Sequence, residues 1–211
     1  MSAMAHDRGV GEMPLIVLAS ASPRRRELME EAGYAFTVEV AGVEESAPGH
    51  LSGREVVMQN AWKKADAVAK RHPDALVIGV DTEVIFEGEV LGKPADWEGA
   101  LAMIGRLNGK MHEVWSGVWL MHRGSGWERG FAERTGVYFR RLSVGGLRAY
   151  QRRIGPLDKA GGYGAQDDRG EMIERVEGSL SNVIGLPMER LGEAIKAFRE
   201  GWRVGVRGGE G

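Results

Sequence analysis

Apolar positions along this chain keep two rhythms. Residues 15–19 and 75–80 are continuously apolar over strand length and read as buried strands near the centre of a sheet. Residues 114–121 and 131–139 read as two longer strands, and residues 84–86 and 89–91 flank Glu87-Gly88 as a hairpin. Between these runs the period changes. Val57, Ala61, Ala65 and Val68 recur at helical spacing behind the capping box Ser52-Gly53-Arg54-Glu55, and His72-Pro73 stops that helix. Lys64 flanks its apolar face, so the stem can pack while the ammonium reaches a cleft. Asp96 can cap a helix carrying Leu101, Ile104 and Leu107, Ser143 can cap another to about Arg153, and Met188, Leu191, Ile195 and Phe198 mark a final amphipathic helix. Alternating strands and helices predict an α/β fold. The expected organisation is a disordered extension at residues 1–13, one domain over 14–200, and a flexible glycine-rich tail at 201–211.

Composition narrows the function class. The 211 residues, 43% hydrophobic and 27% charged, describe an ordinary globular chain with room for a large core. A net charge of −2 argues against a generally basic nucleic-acid binder but leaves a local basic pocket open. Absence of cysteine excludes disulfides and thiolate metal sites. No run approaches the ~18 apolar residues of a membrane span. The polar start lacks the apolar core of a signal peptide, so a cytoplasmic protein is expected.

The segment Ser20-Ala21-Ser22-Pro23-Arg24-Arg25-Arg26 follows the first strand and opens a helix. Ser22 can accept the first helical amides, Pro23 suits the first helical position, and Gly33 can end the helix in a left-handed conformation. Such a helix end attracts anions, and arginine adds planar forks suited to phosphate. The segment points to a phosphate-bearing ligand, or else is a well-capped basic surface helix. Asp81-Thr82 come directly after the strand at 75–80, at the carboxyl end where ligand sites of open α/β sheets lie. A carboxylate there can hold a divalent metal or act as a general base; alone, it also reads as a solvated turn residue. Lys93, made extended by Pro94, can reach phosphates near Asp81 or simply face solvent. The loop Gly161-Gly162-Tyr163-Gly164-Ala165-Gln166 permits close backbone approach, and Gln166 can read a base edge. Ser179 and Ser181 read as helix caps or phosphate contacts, Arg152-Arg153 as surface charge, and Trp115 and Trp119 as core on one strand face. The five histidines lack zinc-ligand spacing, and neither a Gly-x-Ser-x-Gly elbow nor a Walker loop is present.

In order, Ala19-Ser20-x-Ser22-Pro23-Arg24-Arg25, Gly79-x-Asp81-Thr82, Gly92-Lys93-Pro94, Gly109-Lys110-x-His112-x-Val114, Ala160-Gly161-Gly162-Tyr163-Gly164-x-Gln166 and Gly178-Ser179-x-x-Asn182-Val183-x-Gly185-Leu186-Pro187 resemble the Maf family of nucleoside triphosphate pyrophosphatases, from about residue 15 to 198. The resemblance implies a two-lobed mixed sheet flanked by helices around a deep central cleft, as in inosine triphosphatases, often in a homodimer. It implies hydrolysis between the α and β phosphates with a divalent cation, Mg²⁺ or Mn²⁺. On matching positions it makes Asp81 the general base and Lys93 the lysine of the Lys-Pro motif. It places Ser20, Ser22, Arg24 and Arg25 in the phosphate turn, Lys64 at a helical lysine and Glu44 at an acidic position, with Asp81 and Glu44 as metal ligands. Arg24, Thr82 and Gln166 match the branch acting on dTTP and UTP; a branch acting on 7-methyl-GTP carries other residues there. Ser116, Gly162, Ala165 and Asp167 depart from the usual family text, and Asp167 puts a charge beside Gln166. A purine-nucleotide pyrophosphatase and a non-catalytic nucleic-acid or partner-binding regulator are the competing readings. The leading one requires Arg24 and Asp81 to face a single pocket.

Overall fold

The computed structural model describes residues 13–207, with side chains as far as residue 202. Except for Met13, the extension predicted at 1–13 lies outside the described residues, as do residues 208–211. In chain order the elements are β1 (Ile16–Ala19), α1 (Pro23–Glu31), β2 (Phe36–Val38), α2 (Gly53–Ala69), β3 (Leu76–Phe86), β4 (Glu89–Val90), α3 (Trp97–Leu107), β5 (Met111–His122), β6 (Trp127–Phe139), α4 (Val144–Ile154), β7 (Ile173–Glu177), α5 (Leu180–Ile184) and α6 (Met188–Arg207). The seven strands form one mixed sheet in the order β2-β1-β3-β5-β6-β7, with β4 on β3. β1 runs parallel to β2 and β3, whereas β3, β5, β6 and β7 pair antiparallel. The fold is therefore α/β with a helix-flanked mixed sheet, as the alternating rhythm predicts. No described helix is long and apolar enough to cross a membrane.

Local signals place most helix ends. Ser52 and Glu55 close a reciprocal capping box on α2, and Asp96, Ser143 and Ser179 each accept an amide hydrogen bond at the start of α3, α4 and α5. Gly33 follows α1 at φ 75°, a conformation glycine adopts without strain. The Glu87-Gly88 turn has φ of 52° and 82°, the left-handed pair that suits a two-residue hairpin. Two expectations fail. The strand predicted at 75–80 does not stop before Asp81, because β5 pairs with β3 continuously from Val77 to Ile85 and supplies hydrogen bonds through the polar residues. The tail predicted from residue 201 begins as helix, since α6 continues to Arg207.

Three long strands carry two separate cores. Ile78 and Val80 of β3, Val118 and Leu120 of β5, and Phe131 of β6 pack with Leu191, Ile195 and Phe198 of α6. Farther along the same strands, Val84 and Phe86, Val114, and Val137 and Phe139 pack with Ile104 and Leu107 of α3 and Leu147 and Tyr150 of α4. α2 covers the opposite face, where Ala65, Val68 and Ala69 meet Val17, Ala19 and Val77. The polar residues Asp81, Thr82, Glu83 and Ser116 occupy the waist between the two cores, midway along β3 and β5.

Candidate active site

β1 ends at Ala19 beside Gly79, and β4 begins to pair only at Ile85. The Val84 carbonyl accepts from the Leu91 amide, so residues 80–83 of β3 have no strand on that side. A cleft of about 380 Å³ opens at this bare edge. It lies beyond the carboxyl end of parallel strand β1, where side chains and free amides converge. Ser20, Ser22, Arg24, Arg25, Lys64, Asp81, Thr82 and Lys93 all line it. The basic turn and Asp81 thus share one pocket.

The β3 residues at odd positions face α2. Asp81 is buried there, its Oδ1 accepting from Lys64 Nζ at 2.7 Å and its Oδ2 from Asn60 Nδ2 at 3.0 Å. Lys64 Nζ also donates to the Val80 carbonyl at 3.1 Å and contacts Glu45 Oε1 at 2.9 Å, which matches the three donors of an ammonium. Carboxylate oxygens of Glu45, Asp81 and Glu83 lie within 4.8 Å of one another. Glu83 Oε2 is buried without a hydrogen-bond partner, and the Glu83 carboxyl is pushed up to about 7, first by burial and then by the charges of Asp81 and Glu45. Burial acts the same way on Glu45, but the Lys64 hydrogen bond and charge outweigh it and hold Glu45 below its ordinary value. Three converging carboxylates with an orphan oxygen are hard donors suited to a divalent cation.

Glu45, not Glu44, occupies this acidic position. Glu44 lines a separate groove with Trp62 and Lys63. The segment before α2 has no period from which to choose between adjacent glutamates. Asn60 makes the choice by pinning both the amide and the carbonyl of Ser46, at 3.1 and 3.2 Å.

Even-numbered Thr82 projects to the opposite face, toward α1 and α5. Arg25 is the brace there. Its Nε donates to Gly185 O at 2.9 Å, Nη1 to Ser20 Oγ at 3.0 Å and Val80 O at 3.1 Å, and Nη2 to Thr82 Oγ1 at 3.0 Å. Desolvation pulls its pKa below the ordinary arginine value, against the opposing fields of Asp81 and Glu45. Arg24 instead reaches across the rim to Asp158 Oδ2 at 2.7 Å. Asp158 is held low: burial opposes this, but hydrogen bonds from Lys159 and Arg24 prevail. Ser22 starts α1, yet its hydroxyl caps nothing; its own amide donates to Ser20 Oγ at 3.2 Å. Lys93 is exposed on the loop after β4, and its charge acts on both Glu83 and Glu45.

Gln166 does not join the cleft lining; it is exposed, and its amide donates to Glu27 Oε2 on α1 at 2.9 Å. The loop turns away because Asp168 is buried and accepts the Met172 and Ile173 amides, while Arg153 binds the Asp167 carbonyl at 2.6 Å. Arg153 is therefore a loop anchor and not free surface charge, and Asp167 is exposed at the same bend. Ser179 and Ser181 act as caps, accepting the Asn182 and Met188 amides. Trp115 and Trp119 are only partly buried on the sheet and do not line the cleft. The residues that sequence reasoning missed are Glu45, Asn60, Glu83, Asp158 and Lys159. Glu83 was detectable, since two residues beyond Asp81 on a continuing strand means the same face.

Residues 15–198 match the family described as Maf-like protein. The chain is 44% identical over 186 residues to a dTTP/UTP pyrophosphatase of Pelotomaculum thermopropionicum, covering 88% of this chain and 97% of that protein. It is 45% identical over 184 residues to a dTTP/UTP pyrophosphatase of Myxococcus xanthus, covering 87% and 91%. A dTTP/UTP pyrophosphatase of Bacillus cereus is 41% identical over 196 residues, covering 92% and 96%. The match spans both cores and every element that lines the cleft, and the chain belongs to the Maf-like family.

Proposed function

We propose that this chain is a nucleoside triphosphate pyrophosphatase that cleaves dTTP and UTP between the α and β phosphates, releasing the monophosphate and pyrophosphate. The observation that carries the reading is one cleft holding a buried, doubly oriented carboxylate beside a fixed guanidinium. Relatives named for this activity align over nearly the whole chain.

Water attacks the α phosphorus, the bond to the bridging oxygen breaks, and pyrophosphate carries that oxygen away. Asp81 takes the proton of the attacking water. Lys64 and Asn60 each occupy one lone pair on its two oxygens and fix the carboxylate plane, leaving lone pairs to receive that proton. Arg25 supplies positive charge that is already positioned before the phosphates arrive, so little reorganisation accompanies reaction. Arg24 and Lys93 stand at the rim and loop, where each can meet the leaving phosphates. Glu45, Asp81 and Glu83 would hold a divalent cation, Mg²⁺ or Mn²⁺, which supplies Lewis-acid charge to phosphate oxygens. The homodimer implied by the family belongs to the same proposal, and sedimentation velocity reads it directly.

The test is Asp81→Asn, assayed for pyrophosphate release and, separately, for dTTP binding by calorimetry. A fall in turnover of ~10²–10⁴ with binding retained is expected of a lost general base. Near-normal turnover would remove Asp81 from the mechanism. One observation favours a second reading: Gln166, one of the three branch positions, lies outside the cleft lining. A panel of dTTP, UTP and 7-methyl-GTP separates the two, since a purine preference would overturn the pyrimidine assignment.

A further inference from the structure

We infer that Ser116 is a positioning residue for Arg25, acting through Thr82, and that Thr82 reads neither base nor phosphate directly. The inference deepens the proposed function, because it takes Arg25 as the fixed charge of the phosphate site.

Thr82 Oγ1 has three partners: Arg25 Nη2 at 3.0 Å, Ser116 Oγ at 2.8 Å and the Gly185 carbonyl at 3.1 Å. A hydroxyl offers one donor and two acceptor positions. A guanidinium can only donate and a carbonyl can only accept. The Thr82 proton therefore goes to Gly185 O, and its two lone pairs receive Arg25 and Ser116. Ser116 must be the donor, and no capacity remains on Thr82 for a ligand, although Thr82 lines the cleft.

Ser116 is itself fully buried on β5, directly opposite Thr82 in the strand register. Cross-strand partners at such positions touch on one face of a sheet. The Gly185 carbonyl closes the ring by accepting from both Thr82 and Arg25 Nε. Counting Ser20 and Val80 as well, Arg25 commits four of its five N–H groups to the protein. The fifth, on Nη2, is the one a phosphate oxygen can take. Its direction is set by the neighbouring bond to Thr82, hence by whether Ser116 fills the other lone pair of Thr82.

The experiment compares Ser116→Ala and Ser116→Thr in the otherwise native chain and in an Arg25→Lys background. It reads kcat and KM for dTTP, thermal midpoints, and the Arg25 side-chain N–H resonances by NMR. Ser116→Ala is expected to lower kcat/KM roughly fivefold, the rate equivalent of one neutral hydrogen bond. Ser116→Thr keeps the donor and recovers most of that loss. With Arg25→Lys already present, Ser116→Ala costs less than about twofold, because the two changes act on one element. The Arg25 resonances broaden or shift in Ser116→Ala and return in Ser116→Thr. Effects of Ser116 and Arg25 that multiply, or unchanged Arg25 resonances in Ser116→Ala, would overturn the inference. The NMR arm needs no turnover, so an inactive native chain would sink the proposed function and leave this test decisive.

Discussion

Two residues beyond Asp81 on the same face of β3, Glu83 keeps one carboxylate oxygen buried and unpartnered next to two other carboxylates. Among the described residues none hydrogen-bonds that oxygen, and only the more distant charges of Lys64 and Lys93 act on it, which is the strongest local argument that a cation completes the group. Glu83→Gln preserves the shape and removes one anionic donor. It should raise the Mg²⁺ concentration for half-maximal pyrophosphate release about tenfold while leaving the fold intact. A metal titration unaffected by Glu83→Gln would place the cation elsewhere. A second buried group gives a pH signature. His112 shares a hydrogen bond of 2.9 Å with Tyr163, a cleft residue, and burial pushes its pKa down to about 3 from the ordinary 6.5. The unfolded chain then binds a proton that the folded chain refuses, so stability is complete above pH 6.5 and declines as pH falls toward 3. The loss approaches about 1.4 kcal/mol per pH unit in that window. Urea unfolding at pH 5, 6 and 7 should show a smaller decline in His112→Gln than in the native chain; equal slopes would assign the acid sensitivity to other groups.

Elements obey local rules at their ends and tertiary rules in their middles. The starts of α2, α3 and α4 were legible because a cap is a contact between residues three apart. Ser22 looked like the same signal, but Ser20 takes the local hydrogen bond and leaves the Ser22 hydroxyl without a capping role. The end of β3 was illegible for a related reason. A polar Asp-Thr-Glu run reads as a turn until a long partner such as β5 is known to lie beside it. The contact between β3 and α2 was equally hidden. A Cβ at Gly79 would overlap the Ala61 carbonyl and stand 2.6 Å from the Ala65 amide, both backbone groups that cannot turn aside. Gly79→Ala should therefore force α2 away from the sheet and cost about 3 kcal/mol, at the upper end of overpacking. Because α2 carries Asn60 and Lys64, turnover should fall with stability. Gly105→Ala, in α3 with open space around it, is the contrast and should gain about 0.5–1 kcal/mol. Chemical denaturation of both variants checks the pair, and a neutral Gly79→Ala would mean that the helix is not seated this closely.

At the scale of the molecule, strand–helix alternation disclosed the α/β class, and the basic turn after β1 marked one wall of the cleft, although Asp81 proved to lie within β3 and not beyond its end. What it could not disclose was the side-chain census of the long loops. There Asn60 selects Glu45 over Glu44, and Asp168 with Arg153 turns Gln166 outward. The two lobes also raise a question that only connectivity answers. Each has its own apolar core, one built on α6 and one on α3 and α4, yet β3, β5 and β6 pass through both. A strand cannot keep its ladder in one half while its pairing partners melt in the other without exposing the polar waist around Asp81 and Ser116. The lobes should consequently unfold as one cooperative unit. Phe198→Ala in the first core should cost about 3–5 kcal/mol, and Leu107→Ala in the second about 2–5 kcal/mol. In either variant far-UV ellipticity, tryptophan fluorescence and amide exchange at Ile78 and Val137 should move to a common new midpoint. If Phe198→Ala instead releases Ile78 while Val137 stays protected, the shared strands do not couple the cores. The cleft would then lie between two independently stable halves, able to open without global unfolding, rather than in a waist held rigid from both sides.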